Sequence, residues 1–485
     1  MNCRAQTFEG MTAAPLDVLV IGGGIVGSCV ARDAAMRGLR VALVEQRDFA
    51  FGTSSRSSRL LHGGIRYLAQ GRVGLVHESS VEKTVLHRIA PHLAAPLPFV
   101  FPTYRQNPRW KLWQLMFGVK LYDLLCMGRN LGASSWHDPA ETQALAPGLT
   151  AEGLKGSVRY YDGLTNDARL VLDTLRSAQR HGALLVNQTR FVDAKRGDLW
   201  HCEIEDALTG TRRQLQTRTV VNATGPWAHG LPHSAVKLRL TKGIHLVIDH
   251  DRLPVKDTVV MTEGSRILFT IPWGERTVLG TTDTDYDGPL DAVFADAMDV
   301  EYVLRITNAH FPAAKLTPSD VISTWAGLRP LIADPKGCPS DISRSHQINS
   351  PEPGWWDVAG GKLTTCRLMA EQTVDRLVAA AGLRAAPCST AEEPLLPEAD
   401  AHSGIVPPPF NRETVRHCCE QEWAVHLEDL MVRRTNWHYY HREAPQMASE
   451  AAAWMAESLG WDATRQEREL GDYIELHARH MRCLS

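Results

Sequence analysis

The chain is short of the features that mark several protein classes. No run of about 20 uncharged apolar residues occurs in it, so no segment is expected to cross a bilayer as a helix. The opening residues, MNCRAQTFEGMTAAP, have neither the apolar core of a secretory signal nor an Arg-rich amphipathic pattern, and a disordered tail is expected over 1–15. Positive charge is not in excess. Lys and Arg number 52 against 55 Asp and Glu, a net charge of −3, which argues against nucleic acid as the main partner. The ten cysteines form no Cys-x-x-Cys pair and no zinc-like spacing, which fits a reduced cytosolic setting. His438 with His441 and His477 with His480 stand three apart but have no companion ligands, so no metal is expected. No internal repeat is visible.

What is present is ordinary globular composition, 44% apolar and 22% charged, over 485 residues, enough for about three domains. The informative stretch begins at Leu16. Leu16 to Ile21 is a short, β-branched apolar run and predicts a buried parallel strand. Gly22, Gly24 and Gly27 follow in Gly-x-Gly-x-x-Gly spacing, the turn where backbone approaches a pyrophosphate and a helix offers its N-terminal amides. A helix is predicted over Ile25 to Met36, stopped by Gly38, and a second strand over Leu39 to Val44. Glu45 then stands 18 residues after Gly27, where a carboxylate accepts hydrogen bonds from an unphosphorylated adenosine ribose. These residues predict a dinucleotide site and leave NAD and FAD both open.

The next stretch, FGTSSRSSRLLHGGIRYL from Phe51 to Leu68, has small hydroxyl residues, arginines and a Gly pair with no clean period, as in a loop wrapped around a ligand. Here the chain resembles a known family. GGGIVG, GTSSRSSRLLHGGIRYL, NDARLVLDTLRSA, VVNATGPW, LTKGIHLVI, IPWGERTVLGTTDTDY, WAGLRPL and GGKLTTCR occur in the order seen in the FAD-dependent glycerol-3-phosphate dehydrogenases, the quinone-linked respiratory type, across roughly residues 16 to 375. The resemblance implies FAD as cofactor. It also implies an α/β fold: a Rossmann-like FAD-binding domain of the amino-acid-oxidase type, an antiparallel substrate-binding sheet and a C-terminal helical domain.

The implied domain plan has a discontinuous FAD-binding domain over about 16–95, 150–230 and 325–385, with a substrate or cap domain inserted at about 96–149 and 231–324. A Pro- and acid-rich linker is expected over 386–411 and helices over 412–485. The short strands and turns between Lys237 and Asp285 read as a mainly antiparallel sheet. Gly360-Gly361 is expected to open a helix near Leu363, whose N-terminus suits the negative charge of a reduced flavin. Trp110 to Met127, WKLWQLMFGVKLYDLLCM, is helical in pattern with a broad apolar face. It reads as a core helix or as an interfacial helix presenting Trp110, Trp113, Phe117 and Leu121 to lipid near Lys111 and Lys120.

The cofactor is expected to lie against Gly22, Gly24, Gly27 and Glu45, the loop residues Thr53, Ser54, Ser55, His62, Gly63 and Gly64, and then Gly225, Gly361, Leu363 and Thr364. Oxidising a secondary alcohol beside a phosphoester needs a base for the hydroxyl proton and fixed cations for the phosphate. The planar fork of arginine meets phosphate oxygens two at a time. The resemblance puts Arg66, Arg329, Arg344 and Lys362 in the substrate pocket, with Arg329, Arg344 and Lys362 on the phosphate. His245 is the first choice for the base, because imidazole titrates near neutrality; Tyr67 and Lys362 are alternatives for orienting the hydroxyl.

The expected function is therefore oxidation of glycerol 3-phosphate to dihydroxyacetone phosphate, with electrons passed through FAD to a membrane quinone. Peripheral attachment to the inner, cytoplasmic face of the membrane is expected, with a homodimer left open. The competing readings are an amino-acid, amine or 2-hydroxyacid oxidase of the same fold and a flavin-binding scaffold without turnover.

Overall fold

A computed structural model describes residues 2–64, 73–107, 110–125, 131–264, 266–333 and 346–484. Two sheets organise the chain. In the first, the strands Trp355–Gly360, Thr211–Asn222, Leu16–Ile21, Val41–Val44 and Leu184–Val186 lie side by side and parallel. His346–Asn349 adds an antiparallel edge, and Thr189–Arg196 with Trp200–Asp206 extends Thr211–Asn222 as an antiparallel ribbon. The central strands are apolar on both sides because both faces are covered. Val18 and Val20 pack with the helices Ile25–Met36, Asp167–Arg180 and Cys366–Ala381, while Leu19 and Ile21 face Trp200, Trp355, Phe8 and Met11.

Phe8 and Met11 overturn the expectation of a disordered tail. Asn2–Thr12 is a helix, with Phe8 and Met11 buried and the Arg4 guanidinium bonded to the Asn187 and Gln188 carbonyls and to Asp206 at 2.7 Å. Two apolar residues in this stretch give no periodic signal; a groove that exists only after the sheet forms makes them a helix face.

The second sheet is antiparallel except where Thr258–Glu263 runs parallel to Ala94–Tyr104. Its order is Thr284–Asp285, Leu238–Asp249, Arg276–Gly280, Arg266–Trp273, Thr258–Glu263, Ala94–Tyr104, Leu154–Thr165 and Leu60–Leu61. Val321–Ile332 pairs on the other side of Leu238–Asp249, and Ser135–His137 pairs Leu154–Thr165. This membership corrects the expected boundaries. Leu154–Thr165 and most of Val321–Ile332 fall in segments expected to bind the cofactor, yet both pair within the second sheet, because the long-range partners Ala94–Tyr104 and Leu238–Asp249 take them up.

Leu112–Leu125 is a core helix on one face only. Leu115, Val119 and Tyr122 are buried against the second sheet, while Trp113, Phe117 and Leu124 are 64%, 70% and 73% exposed. Trp110 is half-buried, its ring 5.2 Å from that of Phe101, and Leu121 is also half-buried, so neither belongs to the outer face.

Beyond the 386–411 segment, the helices Arg412–Gln421, Ala444–Leu459 and Ala463–Met481 enclose a core of their own with the π-helix Asp429–Arg434. The connecting segment is held down rather than loose: Trp273 and Trp437 donate their indole N–H groups to the Ile405 and Pro408 carbonyls. The helical unit is fixed to the first sheet by buried charge. Asp48 accepts from Arg433 and Arg434, and Glu422 pairs with Arg169. His438 bonds His480 across 2.7 Å, so these histidines meet between elements and not along one helix face.

Candidate active site

The parallel strands end together, and the connections leave Leu16–Ile21 and Thr211–Asn222 in opposite directions along the sheet. Such a switch point opens a crevice at the strand C-termini. Here the crevice is the mouth of a cavity of about 770 Å³ that runs between the two sheets, from the glycine turn to His245 and Arg329.

At the first end, Gly22 takes φ +108°, and a Cβ there would press on the Ala223 carbonyl. Gly27 does not line the cavity. It lets the helix approach the strand, since a Cβ there would run into the Gly22 carbonyl oxygen. The Glu45 carboxylate accepts from the Gly23 amide at 2.7 Å and the Arg47 amide at 2.8 Å; burial pushes its pKa up, and these amides pull it back. Glu45 is therefore a fixed acceptor facing the cavity. Ser54 Oγ accepts from the Ile25 amide at 3.0 Å, at the start of the helix, and Thr53 Oγ1 donates to the Leu328 carbonyl at 2.7 Å. Gly24, Thr53, Ser54, His62, Gly64 and Gly225 all line the cavity.

Ser55 and Gly63 depart from expectation. Ser55 is buried off the cavity because the 3-10 turn Thr53–Ser55 aims it inward. Gly63 turns its amide away, to Tyr122 and Asp162. Gly361, Lys362, Leu363 and Thr364 form the opposite wall, leading through the 3-10 turn Leu363–Thr365 into the helix Cys366–Ala381. Thr364 Oγ1 accepts from the His62 amide at 3.1 Å and donates to its carbonyl at 3.3 Å, which joins this wall to the loop opposite.

At the other end the second sheet supplies polar chemistry. His245 lies on Leu238–Asp249, its ring stacked on Trp325 with centroids 5.1 Å apart and its Nε2 2.8 Å from Ser58 Oγ; Nδ1 is buried without a partner. Burial, reinforced by Arg329 and Arg59, holds its pKa well below the usual imidazole range, so the ring is neutral at neutral pH. Arg329, opposite Thr241 on the neighbouring strand, donates to the Thr282 carbonyl at 3.2 Å, to Asp283 at 3.1 Å and to Thr281 Oγ1 at 3.0 Å. Its guanidinium fills the space that a side chain at Gly243 would need. Lys362 Nζ donates to Ser79 Oγ at 3.2 Å. Arg66, Tyr67 and Arg344 lie outside the described residues.

The sequence reading missed several residues of this wall. Thr281, Thr282 and Asp283 hold Arg329 in place; they stand in the quoted TTDTDY run, where a hydroxyl-rich turn after a strand was the available signal. Arg56 and Trp227, within the quoted GTSSRSSRLLHGGIRYL and VVNATGPW strings, also line the cavity, as do Asp162, Arg266 and Tyr302, which nothing in the local pattern marks.

The fit to a flavin dinucleotide is good. The cavity volume is within the range of cofactor sites, the glycine turn leaves no room for side chains where a pyrophosphate would lie, and the Glu45 carboxylate lines the cavity where a ribose would need an acceptor. Residues 17–376 match the FAD dependent oxidoreductase family, and residues 364–466 match the C-terminal domain of alpha-glycerophosphate oxidase. A glycerol-3-phosphate dehydrogenase of Mycobacterium leprae is 35% identical over 97% of this chain and 89% of its own length. An aerobic glycerol-3-phosphate dehydrogenase of Staphylococcus aureus is 37% identical over 77% of this chain and 70% of its own. Among solved structures, the glycerol-3-phosphate dehydrogenase of Bacillus halodurans complexed with FAD superposes with a TM-score of 0.81 at 27% identity, over 99% of this chain and 98% of that one. A FAD-bound L-alpha-glycerophosphate oxidase of Mycoplasma pneumoniae shares the fold, with a TM-score of 0.60 at 16% identity over 79% and 99% of the two chains. These likenesses, joined to a cavity of cofactor size that opens at a glycine turn and a buried carboxylate, make FAD the cofactor, and the chain belongs to the family of FAD-dependent glycerol-3-phosphate dehydrogenases.

Proposed function

We propose that this oxidoreductase converts glycerol 3-phosphate to dihydroxyacetone phosphate and delivers the electrons to a quinone at the inner face of the cytoplasmic membrane. The observation that carries the reading is the juxtaposition of His245 and Arg329 on adjacent strands, facing one cavity. Bound FAD supplies the acceptor for the hydride leaving C2. The chain does the rest. Arg329 and Lys362 anchor the phosphate, with Arg344 a further anchor carried over from the family likeness, and Arg66 and Tyr67 are assigned to the same pocket on that basis. His245, neutral and able to accept, takes the hydroxyl proton; the dianionic phosphate brought in with substrate offsets the cations that hold its pKa down. Gly22, Gly24, Glu45, Thr53, Ser54, His62, Gly64, Gly225, Gly361, Leu363 and Thr364 are proposed to hold the dinucleotide, with Gly27 shaping the turn.

Two features support the acceptor and its location. One arm of the cavity is apolar and aromatic, with Phe99 stacked on Tyr160 at 5.2 Å and edge-on to Phe269 at 6.0 Å, an environment suited to a quinone ring. Beside this arm lies Leu112–Leu125, whose Trp113, Phe117 and Leu124 stand out from the surface near the exposed Lys111 and Lys120. An aromatic ridge flanked by lysines suits anionic lipid. Among the described residues no helix is long and apolar enough to cross a membrane.

The test is anaerobic bleaching of the bound flavin by a panel of glycerol 3-phosphate, glycerol, lactate and amino acids. Glycerol 3-phosphate is expected to bleach it fastest. Faster reduction by an amino acid or a 2-hydroxyacid would replace this reading with an oxidase of the same fold.

A further inference from the structure

The outward-facing helix and the cavity wall share one buried knot. Tyr122 lies on Leu112–Leu125 opposite Trp113, Phe117 and Leu124 and is fully buried. Its hydroxyl donates to Asp162 and accepts from Lys83 Nζ at 2.9 Å and from the Gly63 amide at 3.1 Å. The same Asp162 oxygen accepts from Lys83 at 2.8 Å and from the Gly63 amide at 3.2 Å. Gly63 stands between His62 and Gly64, both on the cavity wall, and Asp162 lines the cavity too. A Cβ at Gly63 would collide with the Tyr122 hydroxyl, so helix and loop are in direct contact there. Lys83 belongs to the helix Val73–Ile89, whose Ser79 accepts from Lys362.

We propose that Tyr122 is a positioning residue through which the exposed aromatic helix controls the loop His62–Gly64. Seating that helix on an anionic lipid surface then changes the rate at which substrate reduces the flavin. The regulatory half rests on the lipid-docking reading above; the positioning half stands on the hydrogen bonds alone. Lys83 and Asp162 form a closely paired, desolvated ion pair, and pulling one partner away would strand a buried charge. The helix therefore moves with the loop, not past it, and a small shift at the surface reaches the cavity intact.

The experiment uses flavin-loaded wild type, Tyr122→Phe and Asp162→Asn with Lys83→Met, each with and without vesicles of phosphatidylglycerol and phosphatidylcholine. Co-sedimentation reports docking, and anaerobic stopped-flow bleaching by glycerol 3-phosphate reports flavin reduction. Vesicles are expected to change the wild-type reduction rate by about fivefold, the equivalent of one hydrogen bond. Tyr122→Phe should sediment as wild type does, because the ring faces inward, while its rate no longer responds. Its flavin absorption spectrum in solution should also shift, which a loss of stability alone does not produce. Asp162→Asn, made together with Lys83→Met so that no buried charge is stranded, is the second variant should Tyr122→Phe not fold; its response should be lost in the same way. If wild type does not sediment, the docking reading and its regulatory consequence fail, and the spectra still decide whether Tyr122 positions the loop. Vesicle binding with an unchanged rate, or a soluble variant with a wild-type response and spectrum, overturns the proposal.

Discussion

Replacing Arg329 with alanine tests the site most directly, because the residue carries the proposed substrate role and its local contacts set a cost of their own. In the resting protein the guanidinium is held by Asp283 at 3.1 Å, the Thr282 carbonyl at 3.2 Å and Thr281 Oγ1 at 3.0 Å, with the side chain 20% exposed to the cavity. A charged hydrogen bond to phosphate contributes about 1.5 to 3 kcal/mol, so its loss lowers kcat/KM for glycerol 3-phosphate by about 10- to 200-fold. Two further effects have definite signs. Truncation leaves the Asp283 carboxylate without its cation and facing the phosphate, which moves the loss towards the upper end. Arg329→Ala with Asp283→Asn should recover part of it. Arg329 also helps hold the His245 pKa down, so in Arg329→Ala the acid limb of kcat/KM moves towards higher pH. The assay is steady-state kinetics with glycerol 3-phosphate and with glycerol, in the single and double variants across pH. Glycerol carries no phosphate and should lose far less. Equal losses on both substrates would falsify the assignment and make Arg329 a structural strut of the Thr281–Asp283 turn.

The other predictions are more local. In wild type the acid limb of kcat/KM should lie below about pH 6.5, since the base must be unprotonated and burial depresses its pKa; a pH–rate profile with that limb above 7, or one unaltered in His245→Asn, excludes His245 as the base. Gly27→Ala should weaken flavin binding: its Cβ meets the Gly22 carbonyl, and relieving overpacking costs about 1 to 3 kcal/mol, or about 5- to 150-fold in FAD affinity measured by fluorescence recovery. His438 and His480 are buried neutral, His480 with its pKa held down to about 3 by burial, then by Arg56 and His477. Unfolded imidazoles take up protons below about pH 6.5 and these do not, so each contributes stability above that pH that falls away on acidification, for His480 by about 2 kcal/mol at pH 5. Urea unfolding at pH 7 and pH 5 should show a smaller drop in midpoint for His480→Gln than for wild type; identical drops refute the burial argument.

Local physics carried much of the chain into the sequence. The strand Leu16–Ile21, the helix Ile25–Met36 and the start of Asp167–Arg180 were legible to the residue, because alternation, glycine and capping act within a few positions. Asn166, whose side chain accepts from the Arg169 amide, marks one such start. The glycine turn and Glu45 were legible for the same reason: a pyrophosphate turn is a local object. His245 and Arg329 could be named only through family likeness. They stand 84 positions apart and become neighbours because Leu238–Asp249 pairs antiparallel with Val321–Ile332.

Three decisions belonged to the tertiary structure alone. Asn2–Thr12 folds because Phe8 and Met11 find a groove beside the first sheet, a contact invisible in a segment with so little apolar surface of its own. Leu112–Leu125 buries Tyr122 and exposes Trp113, since the sequence specifies an amphipathic helix but not what lies against each face. The cavity wall made by Thr281–Asp283 and the knot of Lys83, Tyr122 and Asp162 join residues from distant segments, and hydrogen bonds of this kind have no period to read. A sequence determines the elements whose stabilising contacts lie a few residues apart. Where the partner arrives from another layer of the fold, only packing decides which polar group meets which, and that is where this active site lies.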